Sequence, residues 1–195
     1  MSATFTDRVV HVVAFAGSLR SRSYNRAALR AAAELLPEGM TMEIFDLSPI
    51  PVYNEDVEAK GFPAPVEEFK ARIAAADALL IATPEYNYSI PGVLKNALDW
   101  ASRPPGRSPL VGKPVALMGA STGYFGTARA QYHLRQVCVI LNMYPLNNPE
   151  VFIPAAETKF DPDERLTDER TRESIGRLLA ALRTWTIRLR AETGV

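Results

Sequence analysis

The 195-residue sequence has very few side chains that could build a metal or disulfide centre. It contains one cysteine, Cys138, and two histidines, His11 and His133. A single thiol cannot form an internal disulfide framework, and these three soft side chains are too few for a structural zinc site. We therefore expect no metal ligands in this chain.

The sequence also lacks an excess of charge of either sign, because its 22 basic and 22 acidic side chains cancel. A general nucleic-acid-binding protein needs a basic excess, so we expect no nucleic-acid partner. The neutral total hides local differences, since residues 1–36 carry a net charge of +3 and residues 101–150 carry +4. A local positive field can therefore exist on a neutral chain.

Long hydrophobic runs are absent as well. The first apolar run, residues 9–16, is interrupted by His11 and is far shorter than the ~20 residues that a membrane helix needs. Residues 14–17 could mimic a signal-peptide cleavage site, but Asp7 stands beside Arg8 ahead of the run, so no clear positive block precedes it. We therefore expect a soluble cytoplasmic protein with no membrane partner.

What the sequence does contain is an alternation of short apolar segments with longer helical patterns. This alternation predicts one α/β domain over residues 1–195, in which helices cover both faces of a five-stranded parallel sheet. A proline-rich stretch, residues 48–65, is predicted as a surface excursion. The predicted strands are 9–16, 40–47, 78–83, 113–120 and 151–153; the predicted helices are 24–36, 65–76, 92–102, 127–141 and a last one that Thr167 can cap.

Ligands of such sheets bind beyond the carboxyl ends of the strands, so the loops after strands one, three and four are the candidates for function. The first loop, residues 17–25, leads directly into a helix, whose unpaired N–H groups attract anions. Ser18, Ser23 and Asn25 add short polar groups, and Arg20 adds a charged donor. One glycine is too few for a dinucleotide loop, and a Walker loop would need Gly-Lys-Ser/Thr, so the pattern predicts a monophosphate site. The alternative is a capped helix with solvated arginines.

The second loop, residues 83–92, combines flat apolar groups with polar ones. Tyr86 and Tyr88 offer aromatic faces, and Asn87 offers a donor and an acceptor. The backbone N–H groups from Glu85 to Asn87 are expected to be free. Such a mixture suits the edge of a heteroaromatic ring, although an ordinary surface loop is the alternative. For Glu85 we expect a structural role, in which it pairs with a nearby arginine or orients the loop.

The third loop, residues 119–127, has three glycines together with the hydroxyls of Ser121 and Thr122. Glycines allow the backbone to approach a ligand closely. The helix that follows is a candidate subunit interface, and we expect His133 to be a packed or interface residue rather than a catalyst. Cys138 lies among apolar neighbours, which predicts a buried and inert thiol.

Three segments stand out in combination: GSLRSRSYN at 17–25, PEYNYSIPGVLKNALDW at 84–100 and GASTGYFGTARAQYHLRQ at 119–136. With them the chain resembles the NADPH-dependent FMN reductase family, in the branch of chromate, quinone and azo-dye reductases. The resemblance implies a flavodoxin-like three-layer fold with sheet order 2-1-3-4-5. It also implies FMN at the switch point between strands one and three, which is where the loops independently point.

The resemblance also implies residue roles. The first loop would hold the FMN phosphate, the second would line the isoalloxazine ring, and the third would close the site. No catalytic residue is assigned, because the cofactor carries the chemistry. The cofactor-binding residues implied are Ser18, Leu19, Arg20, Ser23, Tyr24, Asn25, Pro84, Glu85, Tyr86, Asn87, Ser121 and Gly123.

The activity that the resemblance implies is a two-step exchange. NAD(P)H passes a hydride to FMN, and electrons then pass to a small-molecule acceptor such as a quinone, free flavin, chromate or an azo compound, with ping-pong kinetics. Family members are commonly homodimers or homotetramers. The main alternative is a non-enzymatic FMN electron carrier, although such carriers tend to be strongly acidic. A flavin-free nucleotide-processing enzyme is a second alternative, and a scaffolding protein is a distant third.

Overall fold

A parallel β-sheet forms the centre of the computed structural model, which describes residues 9–193. Asp7 and Arg8, the charged residues ahead of the first apolar run, lie outside this range. The strand order is β2-β1-β3-β4-β5, with β6 also paired to β4, and every pairing is parallel. The predicted order is therefore confirmed. The strands are β1 Val10–Ala16, β2 Met40–Phe45, β3 Ala78–Ala82, β4 Pro114–Ala120, β5 Tyr144–Pro145 and β6 Val151–Ile153.

The fifth position of the sheet is split between two short strands. Tyr144 and Pro145 of β5 pair with the start of β4, and β6 pairs with its end from Met118 to Ala120. The sequence predicted β6 but not β5. A strand of two residues is too short to produce an alternating pattern, so only its tertiary pairing reveals it.

Helices cover both faces of this sheet, as predicted. One hydrophobic core lies under α1 and α6, and a second lies under α3, α4 and α5. Strand β1 serves both cores, because Val12 and Ala14 face the first while Val13 and Phe15 face the second. The helices are α1 Tyr24–Glu34, α2 Glu55–Glu58, α3 Ala64–Ala75, α4 Gly92–Ala101, α5 Ala128–Ile140 and α6 Glu169–Thr193.

The proline-rich excursion is fastened to α4 by hydrogen bonds, and it includes the short helix α2, which the sequence did not predict. The Pro51 carbonyl accepts from Asn96 Nδ2 at 2.8 Å and from Trp100 Nε1 at 2.9 Å. Asn96 Oδ1 in turn accepts from the backbone N–H of Tyr53 at 2.7 Å. Trp100 is fully buried, so these bonds anchor the excursion to the second core.

The last helix, α6, has its N-terminal cap one residue later than predicted. Thr167 was expected to cap it, but the carboxylate of Asp168 accepts from Thr171 N at 3.0 Å and from the Thr171 hydroxyl. The helix dipole also stabilises an anion at this end of a helix. None of the helices within residues 9–193, the 25-residue α6 included, is both long and apolar enough to cross a bilayer.

Gly119 near the end of β4 allows two loops to meet over the sheet. A Cβ at this position would overlap the Thr127 hydroxyl and the backbone oxygen of Thr83. Both threonines are fully buried, so neither can move aside without disturbing the packing. The glycine is required here for space, and the loops after β3 and β4 depend on it.

We expect the Asp168→Ala variant to lose about 1 kcal/mol of unfolding free energy at pH 7, the usual effect of removing a helix cap. The hydrogen bond from Thr171 lowers the pKa of Asp168 in the folded state. The stabilisation is therefore complete above the unfolded pKa near 3.9 and disappears as the pH falls through the folded-state pKa. Urea unfolding of the variant and the wild type between pH 7 and pH 2.5 measures this loss, because their unfolding free energies should become equal at low pH. Thr167→Ala is the matched control, and an equal loss there would contradict the assignment.

We expect the Gly119→Ala variant to be less stable than the wild-type apoprotein by about 1–3 kcal/mol, because an added methyl group overpacks the site. Gly176→Ala on α6 is the control, since its Cβ would meet nothing within 4 Å. That variant should gain up to about 1 kcal/mol from helix propensity. Urea denaturation of the two apoproteins should give changes of opposite sign, and a stable Gly119→Ala variant would disprove the packing argument.

Candidate functional site

The three loops predicted from the sequence converge on one cleft at the carboxyl edge of the sheet. The cleft has a volume of about 350 Å³, within the size range of small-ligand sites. Nine of the twelve predicted cofactor-binding residues line it; Leu19, Asn87 and Gly123 do not, and Ala120 and Thr122 were not predicted. The nine are Ser18, Arg20, Ser23, Tyr24, Asn25, Pro84, Glu85, Tyr86 and Ser121.

The first loop brings the amino end of α1 to the cleft. Ser23 is the N-cap in an extended conformation, and its hydroxyl accepts from Arg26 N at 3.4 Å. Ser18 and Ser23 are buried, whereas the Arg20 side chain is exposed and its guanidinium carbon lies 5.4 Å from the centre of the Tyr24 ring. Helix N–H groups and a cation at one place make this end of the cleft suitable for an anion.

Arg20 differs from the other arginines of this region in its partners. Arg22 donates to the Pro162 carbonyl at 2.9 Å, and Arg30 pairs with Glu164 at 2.6 Å. Arg26 lies 4.0 Å from Asp46. Arg20 has no carboxylate partner among residues 9–193, so its charge remains available to a ligand at the cleft.

Asn25 joins the first loop to the third. Its Nδ2 donates to the Ala120 carbonyl and its Oδ1 accepts from the Ala120 N–H, both at 2.9 Å, and the side chain is buried. This pair of bonds fixes the start of α1 against the end of β4. The side chain that the sequence assigned to the phosphate therefore already has a backbone partner, and a direct phosphate contact stays a prediction.

The second loop contains a hairpin turn in an unusual conformation. Asn87 and Tyr88 have φ angles of 49° and 69°, and Tyr86 and Ser89 exchange backbone hydrogen bonds of 3.0 Å. A left-handed conformation costs a non-glycine residue about 1–2 kcal/mol, so other contacts must hold this turn. The expectation of free N–H groups does not hold for Tyr86; those of Glu85 and Asn87 have no protein acceptor in the described part of the chain.

Glu85 at the start of this loop is bound by the amino end of α5. Its carboxylate, 6% exposed, accepts from the backbone N–H groups of Arg129 at 3.1 Å and Ala130 at 3.3 Å. The Arg129 guanidinium also donates to it, and this hydrogen bond raises the pKa of Arg129. The expected pairing of Glu85 with a nearby arginine is thus present. The sequence could not choose between Arg129 and Arg135, which lie on the same predicted helix.

The third loop turns on itself beside the cleft. The Ser121 hydroxyl accepts from Gly123 N at 3.0 Å, and Ser121 N donates to the Ile153 carbonyl at 3.0 Å. Beyond this turn the side chains of Tyr124 and Phe125 are 89% and 54% exposed. The loop therefore places polar groups at the cleft and aromatic groups at the surface.

Residues that could support nucleophilic or metal chemistry lie elsewhere. Cys138 is buried in the second core, where desolvation raises the pKa of its thiol to about 12, as expected for an inert cysteine. His133 is exposed on α5, with its Nδ1 3.0 Å from the Ser89 hydroxyl. Among residues 9–193 no group of three or more His, Cys, Asp or Glu side chains is arranged to hold a metal ion.

The fold is flavodoxin-like, and the cleft lies at the switch point of the sheet, where such folds bind their ligands. A family model described as NADPH-dependent FMN reductase matches residues 10–158. The chain is 60% identical over 181 residues to an NAD(P)H-dependent FMN reductase from Pseudomonas aeruginosa, covering 93% of this chain and 97% of the relative. It is 45% identical over 190 residues to an NAD(P)H:quinone oxidoreductase from Solanum tuberosum, covering 94% and 96%.

A solved structure of a flavoenzyme has the same fold. The flavoenzyme NAD(P)H:(acceptor) oxidoreductase FerB from Paracoccus denitrificans superposes with a TM-score of 0.83 at 34% identity, covering 91% of this chain and 97% of FerB. The chain belongs to the NADPH-dependent FMN reductase family, as the sequence motifs indicated. It is an oxidoreductase whose cofactors are FMN and NAD(P)H.

Proposed function

We propose that this protein is a cytoplasmic FMN-dependent NAD(P)H oxidoreductase that reduces quinone-type acceptors by a ping-pong mechanism. The observation that carries the proposal is the cleft between the three loops, where the N-terminus of α1 meets an arginine without a carboxylate partner in the described chain. Quinone acceptors are supported by the names of two relatives, the Solanum tuberosum enzyme and a 2-hydroxy-1,4-benzoquinone reductase from Burkholderia at 44% identity. Free flavin, chromate and azo compounds are further candidates.

The donor set of the cleft fits FMN. Arg20, Ser18 and Ser23 offer a cation and hydroxyls for a phosphate at the start of α1. Pro84 and Tyr86 offer apolar contact for a flat ring. When bound, FMN supplies the chemistry by accepting a hydride from NAD(P)H and passing electrons to the acceptor.

The protein's own residues bind and orient in this mechanism. The backbone N–H groups of Glu85 and Asn87, which lack protein acceptors within residues 9–193, are available to stabilise negative charge on the ring. The Glu85 carboxylate is engaged by α5 and is therefore a structural group rather than a general base. No side chain needs to act as a nucleophile.

Ping-pong kinetics are supported by the shape of the carboxyl edge. A second cavity there, bordered by Ser18, Ile44 and Asp46, has a volume of about 90 Å³. This is far below the ~300–1,000 Å³ of ordinary ligand sites. We propose that donor and acceptor share the main cleft and bind there in turn.

A homodimer or homotetramer is part of the proposal, with α5 at the interface. Tyr132, Val139 and Ile140 on this helix are 51%, 76% and 83% exposed. Large apolar side chains that lie together at a surface are typical of an association site.

The activity is tested by anaerobic titration of the FMN-loaded protein with NADPH and with NADH. We expect the flavin absorbance to bleach and to return when benzoquinone is added. Initial rates at several fixed quinone concentrations should give parallel double-reciprocal lines. Dithionite, which reduces flavin without the nucleotide, is the control. Bleaching by dithionite but by neither nucleotide would favour the non-enzymatic carrier, and intersecting lines would contradict the ping-pong order.

The phosphate assignment predicts that Arg20→Ala weakens FMN binding. Loss of a charge-assisted hydrogen bond of about 1.5–3 kcal/mol raises Kd by roughly 10- to 150-fold. Quenching of FMN fluorescence on titration with apoprotein measures this. Arg22→Ala is the matched control, because Arg22 lies in the same loop but binds the Pro162 carbonyl. Equal affinities of the Arg20→Ala variant and the wild type would show that Arg20 does not hold the phosphate.

A further inference from the structure

The hairpin turn of the second loop is held from outside by α5. Two residues of α5 one turn apart, Arg129 and His133, each contact this loop. Arg129 binds Glu85 just before the turn, and His133 Nδ1 lies 3.0 Å from the hydroxyl of Ser89, the last residue of the turn. We call the four residues Glu85, Ser89, Arg129 and His133 the α5 clamp.

The clamp also contacts Tyr88, at the tip of the turn. The Arg129 guanidinium carbon lies 3.6 Å from the centre of the Tyr88 ring and 4.4 Å from that of Phe125. A cation over aromatic faces is attracted by their π electrons. Arg129 therefore connects both loops that follow β3 and β4 through one charged group.

Glu85 is the side chain on which the clamp depends. Its nearly buried carboxylate needs donors, and the donors identified above are all on α5. The N-cap residue of α5, Thr127, has no side-chain capping bond. Glu85 therefore completes the helix start from another loop, so the position of the turn and the position of α5 depend on each other.

We propose that Glu85, Arg129 and His133 are positioning residues that hold the Tyr86–Ser89 turn, and with it the Asn87 N–H, in the place where it stabilises reduced FMN. The proposal rests on the proposed function. Arg129 and His133 do not line the cleft, yet they would control how readily the cofactor is reduced. Because Asn87 and Tyr88 are held in the left-handed region, the turn would relax once the clamp is removed.

The test measures the midpoint potential of bound FMN and the anaerobic rate of its reduction by NADPH. Arg129→Met and Glu85→Gln should each make the potential more negative by about 30 mV, which corresponds to tenfold weaker relative binding of reduced FMN. The reduction rate should fall roughly 10- to 100-fold, as expected for a misplaced reacting group. These substitutions do not touch the residues proposed to bind the phosphate. The Kd for oxidised FMN should therefore change by less than tenfold.

Two controls separate positioning from general destabilisation. Arg177→Met removes an exposed arginine that pairs with Glu173 on α6, and Gln136→Ala removes an exposed side chain of α5 itself. Both should retain the wild-type potential. If Arg129→Met and Glu85→Gln lower only the melting temperature and leave potential and rate at the control values, the proposal is wrong.

A second pair of variants keeps the proposal testable if the first pair does not fold. Ser89→Ala and His133→Ala remove the two ends of one contact, so each should shift the potential in the same direction by a smaller amount. The double variant should shift it no further than either single one. Additive shifts, or none, would overturn the proposal. A wild-type protein that binds no FMN would instead refute the proposed function, and the clamp with it.

Discussion

A carboxylate that is withdrawn from water must be surrounded by donors, and the arrangement of this site follows from how Glu85 meets that requirement. Its partners are the backbone and side chain of α5, so the loop after β3 and the helix after β4 cannot move independently. The bonds between Asn25 and Ala120 connect the remaining loop to the same edge. Hydrogen bonds therefore connect three loops that are distant in sequence at one edge of the sheet.

The electrostatics of the cleft follow from a distribution of charge that the neutral total conceals. Most basic groups around α1 are neutralised by partners such as Glu164 and Asp46, whereas Arg20 is not paired with a carboxylate in the described chain. The result is a local positive field at the end of α1 on a protein of zero net charge. This field suits the phosphate group of a cofactor such as FMN.

Agreement between sequence and structure was greatest where a pattern is long and periodic. Apart from β5 and α2, the alternation of strands and helices could be predicted, and so could the three loops that line the cleft, because hydrophobic periodicity and loop chemistry are local signals. Disagreement arose where partners are distant or the signal is short. Strand β5 has two residues, and Asp168 rather than Thr167 caps α6. The bonds of Asn25 to the backbone of Ala120, 95 residues away, were not predicted, and its contact with the phosphate stays a prediction.

By itself the sequence determined the class of fold, the family and the edge of the sheet at which the three loops form a cleft, since these depend on local patterning and on motifs in order along the chain. Only the tertiary structure decided which arginine at the cleft has no carboxylate partner in the described chain, and which arginine pairs with Glu85. It also decided that Asn87 and Tyr88 adopt a left-handed turn. These outcomes depend on distances between residues far apart in the chain, and a buried charge or a strained turn persists only when such contacts are satisfied together.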